Sequence, residues 1–266
     1  MRAAVVGHVE WVEFARVDGV PRPGEIAHAT DLWQEPAGGG GLAAVVLGRL
    51  AGDVTLFTAL GDDELGHRAK NELERLGVRV EAAWREAPQR RAIVFVDPSG
   101  ERTITTLGPR LEPSVSDALP WEDLSGADAV YFTAGGVEAI RRARSAKVLV
   151  ATAREVAAVA RAAVELDALV GSGSDEHERY EPGDLDPPPR VVVTTAGPLG
   201  GWLRPGGPFQ AVAPDGPIED TYGAGDSFAA GLTYGLGCGW SSQLAVETAS
   251  ACGAEALTRR GAHGEA

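Results

Sequence analysis

Short apolar runs recur along the chain and are separated by segments with the periodicity of helices. The runs lie at 3–6, 54–60, 129–133, 148–151, 166–170 and 191–195. Strands buried on both faces of a parallel sheet are continuously apolar, so each run predicts such a strand. Segments 42–50, 65–76, 154–165 and 226–236 predict helices, because their apolar residues recur at helical spacing or fill the whole segment. This alternation predicts an α/β fold with a mainly parallel central sheet.

Two segments interrupt the alternation and predict a second, smaller sheet. Residues 11–32 place prolines and a glycine between short extended pieces, and residues 90–107 contain two strands with alternating apolar and polar positions. The turn Asp97-Pro-Ser-Gly100 joins those two strands, with proline and glycine where a tight turn uses them. We expect a β lid with one packed and one solvated face, inserted in a single domain that spans residues 1–266.

Composition and charge exclude several classes of protein. Of 266 residues 44% are hydrophobic, and 38 acidic side chains against 24 basic ones give a formal net charge of -14. The apolar content argues against a disordered chain, and the negative charge argues against a nucleic-acid partner. The two cysteines lack metal-ligand spacing, and no apolar run is long enough to span a membrane. The first apolar run is also too short for a signal peptide, so we expect a cytoplasmic protein.

The residues with the clearest chemical meaning lie between positions 220 and 231. Gly223, Ala224 and Gly225 form a turn of small residues that runs directly into an apolar helix. Free N–H groups at a helix start bind anions, and small residues let a phosphate approach the backbone. Asp226 follows in the first helical turn. It is either an ordinary helix-start carboxylate or a base that accepts a proton from a substrate hydroxyl.

The segment Asp220-Thr-Tyr-Gly-Ala-Gly-Asp226 resembles the carboxyl-terminal signature of the ribokinase-like (PfkB) carbohydrate kinases. Other segments are similar to further motifs of that family, so the resemblance covers nearly the whole chain. They are Pro21–Glu25, Ala37–Ala44 followed by Leu47–Leu50, Leu60–Gly66, Gly100–Ile104 and Thr195–Gly200. The resemblance implies a ribokinase-like fold, a three-layer Rossmann-like α/β sandwich with a mainly parallel central sheet and a small β lid.

The resemblance also implies an activity and a set of site residues. It implies transfer of the ATP γ-phosphoryl group to a hydroxymethyl of a small sugar, with Asp226 as base and Gly223, Ala224 and Gly225 as anion hole. The nucleotide would contact Thr195, Gly197, Gly200, Ser172 and Ser250. Asp175 would serve Mg²⁺, although Ser172-Gly-Ser-Asp175 is a weak match to the family's Asn-x-x-Glu motif. Asp220 and Tyr222 match positions that bind a monovalent cation such as K⁺ in many members.

At the acceptor end the chain departs from the family pattern. The asparagine and aspartate that usually hold sugar hydroxyls fall on Glu10 and Val12, and Leu42 replaces a sugar-binding asparagine. Glu10 and the neighbouring Glu13 are either substitute hydroxyl acceptors or solvated charges. Gly39 and Gly40 match glycines beside the acceptor. Arg102 is either a contact to a substrate phosphate or an exposed hairpin arginine, and His8 either reaches the pocket or is structural.

Other functions remain open at this stage. The same fold also suits a nucleoside kinase, or a catalytically silent sensor that binds a sugar or a nucleoside. A Rossmann oxidoreductase is disfavoured, because the G-x-G-x-x-A match at 39–44 lies far beyond the first strand. The partner expected is a small-molecule acceptor, and lid strands in this family often pair, so a homodimer through the lid is also expected.

Overall fold

The computed structural model describes residues 1–264. The strands of this part of the chain are β1 Arg2–Val6, β2 Glu10–Arg16, β3 Asp31–Ala37, β4 Asp53–Gly61, β5 Arg79–Arg85, β6 Arg91–Val96, β7 Arg102–Leu107, β8 Ala129–Phe132, β9 Val148–Thr152, β10 Ala168–Ser172, β11 Val191–Thr195, β12 Gly201–Arg204 and β13 Gly207–Phe209. The α-helices are α1 Gly38–Ala51, α2 Glu64–Arg75, α3 Val137–Ala143, α4 Val156–Ala162, α5 Ala224–Gly237 and α6 Ser242–Leu257. All six predicted apolar strands are confirmed, with ends that differ by at most two residues.

The predicted strands form the centre of a large sheet with the order β13-β12-β11-β10-β9-β8-β1-β4-β5. From β11 to β5 all neighbours are parallel, and only the edge strands β12 and β13 pair antiparallel. In the register of β1, Val5 lies opposite Leu56 on β4 and Tyr131 on β8. Because parallel strands end together, the loops after β1, β8, β9, β10 and β11 meet at one edge of the sheet.

Helices cover both faces of this sheet, which gives three layers. Val5 of β1 packs into the core that contains residues of α1, α2, α5 and α6. Val6, the next residue, points to the opposite core, which contains residues of α3 and α4. Both faces therefore bury apolar side chains, which explains why these strands are apolar without alternation.

The four predicted helices differ from the predictions mainly at their ends, whereas α3 and α6 were not predicted. Helix α1 starts at Gly38, four residues before the predicted segment, so its first turn consists of glycines. The predicted helix 154–165 is shorter than expected, because only α4 is α-helical and a 3-10 turn at Ala153–Glu155 precedes it. Ala163 takes a left-handed conformation with φ of 52°, which ends the helix and turns the chain back toward β10.

The small sheet has the order β3-β2-β6-β7, and β6 and β7 form the antiparallel hairpin expected from the sequence. The amide of Gly100 donates to the carbonyl of Asp97 at 3.0 Å, which closes the predicted turn. Along β6 buried and half-buried residues alternate, whereas β7 is exposed throughout. The prediction of one packed face is therefore correct for β6 and wrong for β7, because β7 is an edge strand.

The small sheet packs against the segment that carries the Asp220–Asp226 motif. The carbonyl of Gly100 accepts from the amide of Thr221 at 2.9 Å, so the hairpin turn contacts this segment directly. On β2, the ring of Phe14 stacks on Trp33 and meets Tyr222 edge-on, each at 5.0 Å. None of the helices within residues 1–264 is long and apolar enough to cross a membrane.

Candidate active site

The turn before α5 has the geometry of an anion hole. Gly223 has a φ of 74°, and a Cβ at this position would lie 2.0 Å from Cδ1 of Leu42, so no other residue fits without displacement. Gly225 is exposed, and a Cβ there would meet nothing within 4 Å. A ligand therefore has open access to the first turn. The first N–H groups of a helix lack partners within the helix and attract anions.

Asp226 lies in the first turn of α5, beside this anion hole. Burial, and after it the charge of Glu178, raise the pKa of its carboxyl to about 6, although the charges of Arg154 and Arg102 oppose the shift. A carboxylate that served only the helix start would be stabilised by the amides and the helix dipole, and its pKa would fall. The raised pKa instead suits a proton acceptor that works near neutral pH.

Gly39 opens a space next to this carboxylate. A Cβ on Gly39 would lie 2.8 Å from Oγ1 of Thr133, 3.1 Å from Oδ1 of Asp226 and 3.5 Å from Cε1 of His8. Three polar side chains thus surround one point that the missing side chain leaves free. Gly40 has a different role, since its amide donates to the carbonyl of His8 at 3.0 Å and holds α1 against the end of β1.

The two carboxylates expected at the acceptor end, Glu10 and Glu13, lie in different places. Glu10 is buried, close to Gly38, and Nε of Arg90 lies 2.7 Å from its Oε1. Glu13 instead accepts from Nε of Arg91 at 3.0 Å, within the small sheet. The structure therefore brings Glu10 to the edge of the Gly39 space and keeps Glu13 in an ion pair on the lid.

Two departures from the family pattern fall in the apolar core. Val12 and Leu42 are fully buried. Leu42 packs beneath Gly223 and supports the anion hole, so neither residue offers a hydrogen bond to an acceptor. Arg102 lies at the start of β7, where its Nη1 donates to Oγ1 of Thr221 at 2.8 Å.

The turn expected to hold the nucleotide follows β11. The amide of Ala196 donates to the carbonyl of Gly200 at 2.7 Å, and Gly197 and Gly200 both have positive φ. A Cβ on Gly200 would lie 2.0 Å from the carbonyl oxygen of Phe209, so the turn needs glycine there. Thr195 ends β11 in register with Ser172 on β10.

Ser250 lies on α6, near the start of α5. It is buried on α6, less than one turn before Gly253. A Cβ on Gly253 would lie 3.3 Å from the carbonyl oxygen of Ala224. This part of α6 therefore lies against the start of α5, where the anion hole is.

The carboxylates near Ser172 have roles that the sequence did not indicate. Asp175 accepts from the amide of His177 at 2.9 Å and pairs with Arg154. Glu178 accepts from the amide of Ser172 at 2.7 Å, its Oε1 lies 2.7 Å from Nε of Arg154, and its charge acts on Asp226. Sequence reasoning missed Glu178 because it placed the motif at Ser172–Asp175, although Asp175-Glu-His-Glu178 has the same spacing.

The carboxylates near Glu178 could hold Mg²⁺ only together with waters and substrate phosphates. No group of three histidine, cysteine or carboxylate side chains within residues 1–264 is placed to hold a metal ion. Mg²⁺ commonly keeps several waters and uses one or two carboxylates together with substrate phosphates. Glu178 and Asp175 could supply the carboxylates of such a site beside a bound nucleotide.

Asp220 and Tyr222 hold loops together. The buried Asp220 carboxylate accepts from the amide of Tyr222 at 2.9 Å and from the amide of Gly261 at 2.6 Å. The Tyr222 hydroxyl accepts from the amide of Gly38, and burial raises its pKa. The structure thus gives both side chains protein partners, so a monovalent cation here would depend largely on backbone carbonyls.

Comparison with known proteins agrees with this geometry. Residues 2–265 match the family described as pfkB family carbohydrate kinase. The chain belongs to the PfkB family of carbohydrate kinases. The resemblance and the enzyme class expected from the sequence are therefore confirmed.

Individual relatives of this PfkB protein span nearly its whole length. An ATP-dependent ribose-1-phosphate kinase of Halopiger xanaduensis is 31% identical and aligns with 98% of this chain and 94% of its own. An aminoimidazole riboside kinase of Salmonella typhimurium is 28% identical, over 85% of this chain and 83% of its own. The structure of Thermotoga maritima ribokinase superposes with a TM-score of 0.78 at 20% identity, covering 99% of this chain and 95% of that one. The predicted ribokinase-like fold is therefore confirmed.

Proposed function

We propose that this PfkB kinase transfers the γ-phosphoryl group of ATP to a hydroxymethyl group of a small sugar. The observation that carries the proposal is the position of the Asp226 carboxylate, between the anion hole of α5 and the free space beside Gly39. A purely structural helix start needs no such space. The name of the ATP-dependent relative from Halopiger xanaduensis supports ATP as the phosphoryl donor.

In this mechanism Asp226 takes the proton of the acceptor hydroxyl as that oxygen forms a bond to the γ-phosphorus. The bond between the γ-phosphorus and its bridging oxygen breaks, and ADP leaves with the electron pair. The amides of the Gly223–Gly225 turn stabilise charge on the transferring group. Positioning and charge stabilisation of this kind account for most of the catalysis of phosphoryl transfer.

The remaining site residues act on the nucleotide side. Thr195, Gly197, Gly200, Ser172 and Ser250 would line the nucleotide, and Glu178 with Asp175 would hold Mg²⁺. When bound, Mg²⁺ supplies positive charge that neutralises the phosphate oxygens. A monovalent cation such as K⁺ near Asp220 and Tyr222 would stiffen the loop before the anion hole.

The acceptor class separates the remaining alternatives. The similarity to a riboside kinase keeps a nucleoside acceptor open. A silent sensor would bind ligands without turnover, but such a protein gains nothing from a carboxylate with a raised pKa beside an anion hole.

The deciding experiment is a coupled ADP-release assay with Mg-ATP and a panel of sugars, sugar phosphates and nucleosides. Asp226→Asn should lower kcat by about a hundredfold to ten-thousandfold, as loss of a general base does, with little change in nucleotide affinity. Asp123→Asn is the matched control, because Asp123 is an exposed carboxylate on the distant Trp121–Gly126 turn. Turnover that survives in Asp226→Asn would contradict the proposed base.

We also propose that the lid mediates a homodimer. The edge strands β3 and β7 expose the apolar side chains of Leu32 and Ile104. Light scattering of the purified chain should give the mass of two copies, and Ile104→Glu should reduce it to one. A monomeric wild type would exclude this assembly.

A further inference from the structure

Arginines gather around the acceptor side of the site. The charges of Arg110, Arg90 and Arg154 all act on His8, the side chain that borders the Gly39 space. Of the three positions that commonly recognise sugar hydroxyls in this family, two hold the buried Val12 and Leu42, and the third holds Glu10, which is paired with Arg90. Recognition of the acceptor must therefore use other groups, and the cationic ones are concentrated here.

Two of these arginines are held in place by buried carboxylates. Nε of Arg90 lies 2.7 Å from Oε1 of Glu10, and Nη2 of Arg110 lies 2.9 Å from Oε1 of Glu155. The Glu10 and Glu155 side chains are only 8% and 7% exposed, while the arginines are 18% and 32% exposed. The buried carboxylates thus fix the guanidinium groups, which remain partly exposed to solvent.

The topology explains why these arginines meet. Arg90 immediately precedes β6 and Arg110 follows β7, so both lie where the hairpin joins the main body. Arg154 and Glu155 follow β9, at the edge of the main sheet where the site lies. The lid hairpin and the sheet therefore contribute charges to the same place.

Carboxylates in this region do not use all of the available donors. Arg110 also pairs with Glu112, and Arg154 with Asp175 and Glu178. A guanidinium presents five N–H donors in a planar fork that matches phosphate. The contacts described use Nε of Arg90, and Nε and Nη2 of Arg110, which leaves other donors for a ligand.

His8 adds a neutral polar ring to this cluster, with its Nε2 3.9 Å from Oε1 of Glu10. Its Nδ1 is buried and makes no hydrogen bond within residues 1–264. Burial and the charge of Arg110 lower the pKa of His8 to about 3, so the ring is neutral and offers one nitrogen as donor and one as acceptor. An anionic ligand would pair with the arginines, because the neutral ring contributes no competing charge.

We propose that the acceptor is a sugar phosphate whose phosphate group is bound by Arg90 and Arg110, with Arg154 beside them. The inference rests on the kinase function proposed above and specifies its substrate class. A free hydroxymethyl must lie at the other end of the sugar, next to Asp226. A pentose 1-phosphate meets both requirements, and the name of the relative from Halopiger xanaduensis agrees with that class.

Acceptor kinetics test the proposal directly. Ribose 1-phosphate should have a kcat/KM at least about a hundredfold above ribose, since charge-assisted contacts to a phosphate are among the strongest polar interactions. Ribose 5-phosphate carries a phosphate but no free hydroxymethyl, so it should inhibit without being turned over. Gluconate tests whether a carboxylate serves equally well.

Arg110→Met should raise KM for ribose 1-phosphate by about tenfold to a hundredfold, with a smaller change in kcat and no change in KM for ATP. Arg110→Lys should restore part of the affinity. Arg190→Met is the control, because Arg190 pairs with Glu165 and Asp167 away from the site. Inorganic phosphate should compete with ribose 1-phosphate in the wild type and more weakly in Arg110→Met, which gives a readout independent of turnover.

The outcomes distinguish this inference from the kinase function. A preference for ribose, a nucleoside or gluconate, unaffected by Arg110→Met, would overturn the sugar phosphate and leave the kinase intact. If no acceptor gave ADP release that is lost in Asp226→Asn, the kinase function would be contradicted. Calorimetric binding of ribose 1-phosphate that is equal in wild type and Arg110→Met would overturn the arginine site whatever the turnover.

Discussion

Replacing Asp226 by asparagine is expected to stabilise the folded protein while it lowers kcat by about a hundredfold to ten-thousandfold. The carboxyl has an ordinary pKa of 3.8, and burial raises it to about 6 in the folded state. The folded state therefore holds a proton on Asp226 more tightly than the unfolded chain does. Above pH 6 the buried negative charge opposes folding, and asparagine removes that charge with almost no change in shape.

The size of the effect follows from the pKa difference. A shift of about 2 units corresponds to about 3 kcal/mol at 1.36 kcal/mol per unit. That figure is an upper limit, because Asp226 is half-buried and solvent screens part of its charge. Loss of a favourable charge at the start of α5 removes up to about 1 kcal/mol. A net gain of at most about 2 kcal/mol remains, which should raise Tm by up to about 5 °C for a domain of this size.

Urea unfolding at several pH values tests this reasoning. The carboxyl of the wild type contributes full stability below pH 3.8, and this contribution is lost as the pH rises through about 6. The gain of Asp226→Asn over wild type should therefore be full at pH 8 and vanish toward pH 4. Asp128→Asn is a control of opposite sign, because Asp128 pairs with Lys147 and its pKa is lowered. A variant that is no more stable than wild type at pH 8, or a gain that is independent of pH, would refute the argument.

Three further predictions concern neighbouring positions. Gly39→Ala should raise KM for the acceptor at least about tenfold in steady-state kinetics, with little change in KM for ATP, because the new methyl group enters the acceptor space. Gly19→Ala is the control and should leave both KM values unchanged, because a Cβ at Gly19 meets nothing within 4 Å. Glu178→Gln should move the acidic limb of the kcat/KM profile to lower pH, since the charge of Glu178 raises the pKa of Asp226, the proposed base, whereas the exposed Glu176→Gln should not move the limb. Gly223→Ala should cost about 1–3 kcal/mol of unfolding free energy in urea titrations, because of its positive φ and the leucine side chain 2.0 Å from the new methyl. An unchanged urea midpoint in that variant would show that the turn relaxes without strain.

The local backbone geometry of the predicted donor-side turns could be read from the sequence, whereas the contacts of the acceptor-side residues could not. Asp226 and the glycine turn lie within one short segment, so local spacing already defines an anion hole beside a carboxylate. The glycines of the 195–200 turn are likewise needed for local backbone reasons. By contrast, Glu13 was a candidate because of its place in the sequence, and its pairing with Arg91 depends on which strand lies next to β2.

Some residues became visible only when distant segments met. Glu178 reaches Ser172 through an irregular loop, whose path no periodicity describes. Arg90 pairs with Glu10, and Arg110 pairs with the distant Glu155, where the lid joins the main sheet. Each arginine alone would pass for a solvated charge, because exposed ion pairs are common and carry little information.

The sequence by itself determined the six central strands, four of the helices, the mainly parallel sheet and the glycine turn that precedes Asp226. These features depend on contacts between near neighbours and on hydrophobic periodicity, both of which are written locally. The tertiary structure alone decided the raised pKa of Asp226, the space beside Gly39 and the convergence of arginines on His8. Burial and electrostatic interaction depend on distances between residues far apart in the chain, and only the folded arrangement sets those distances.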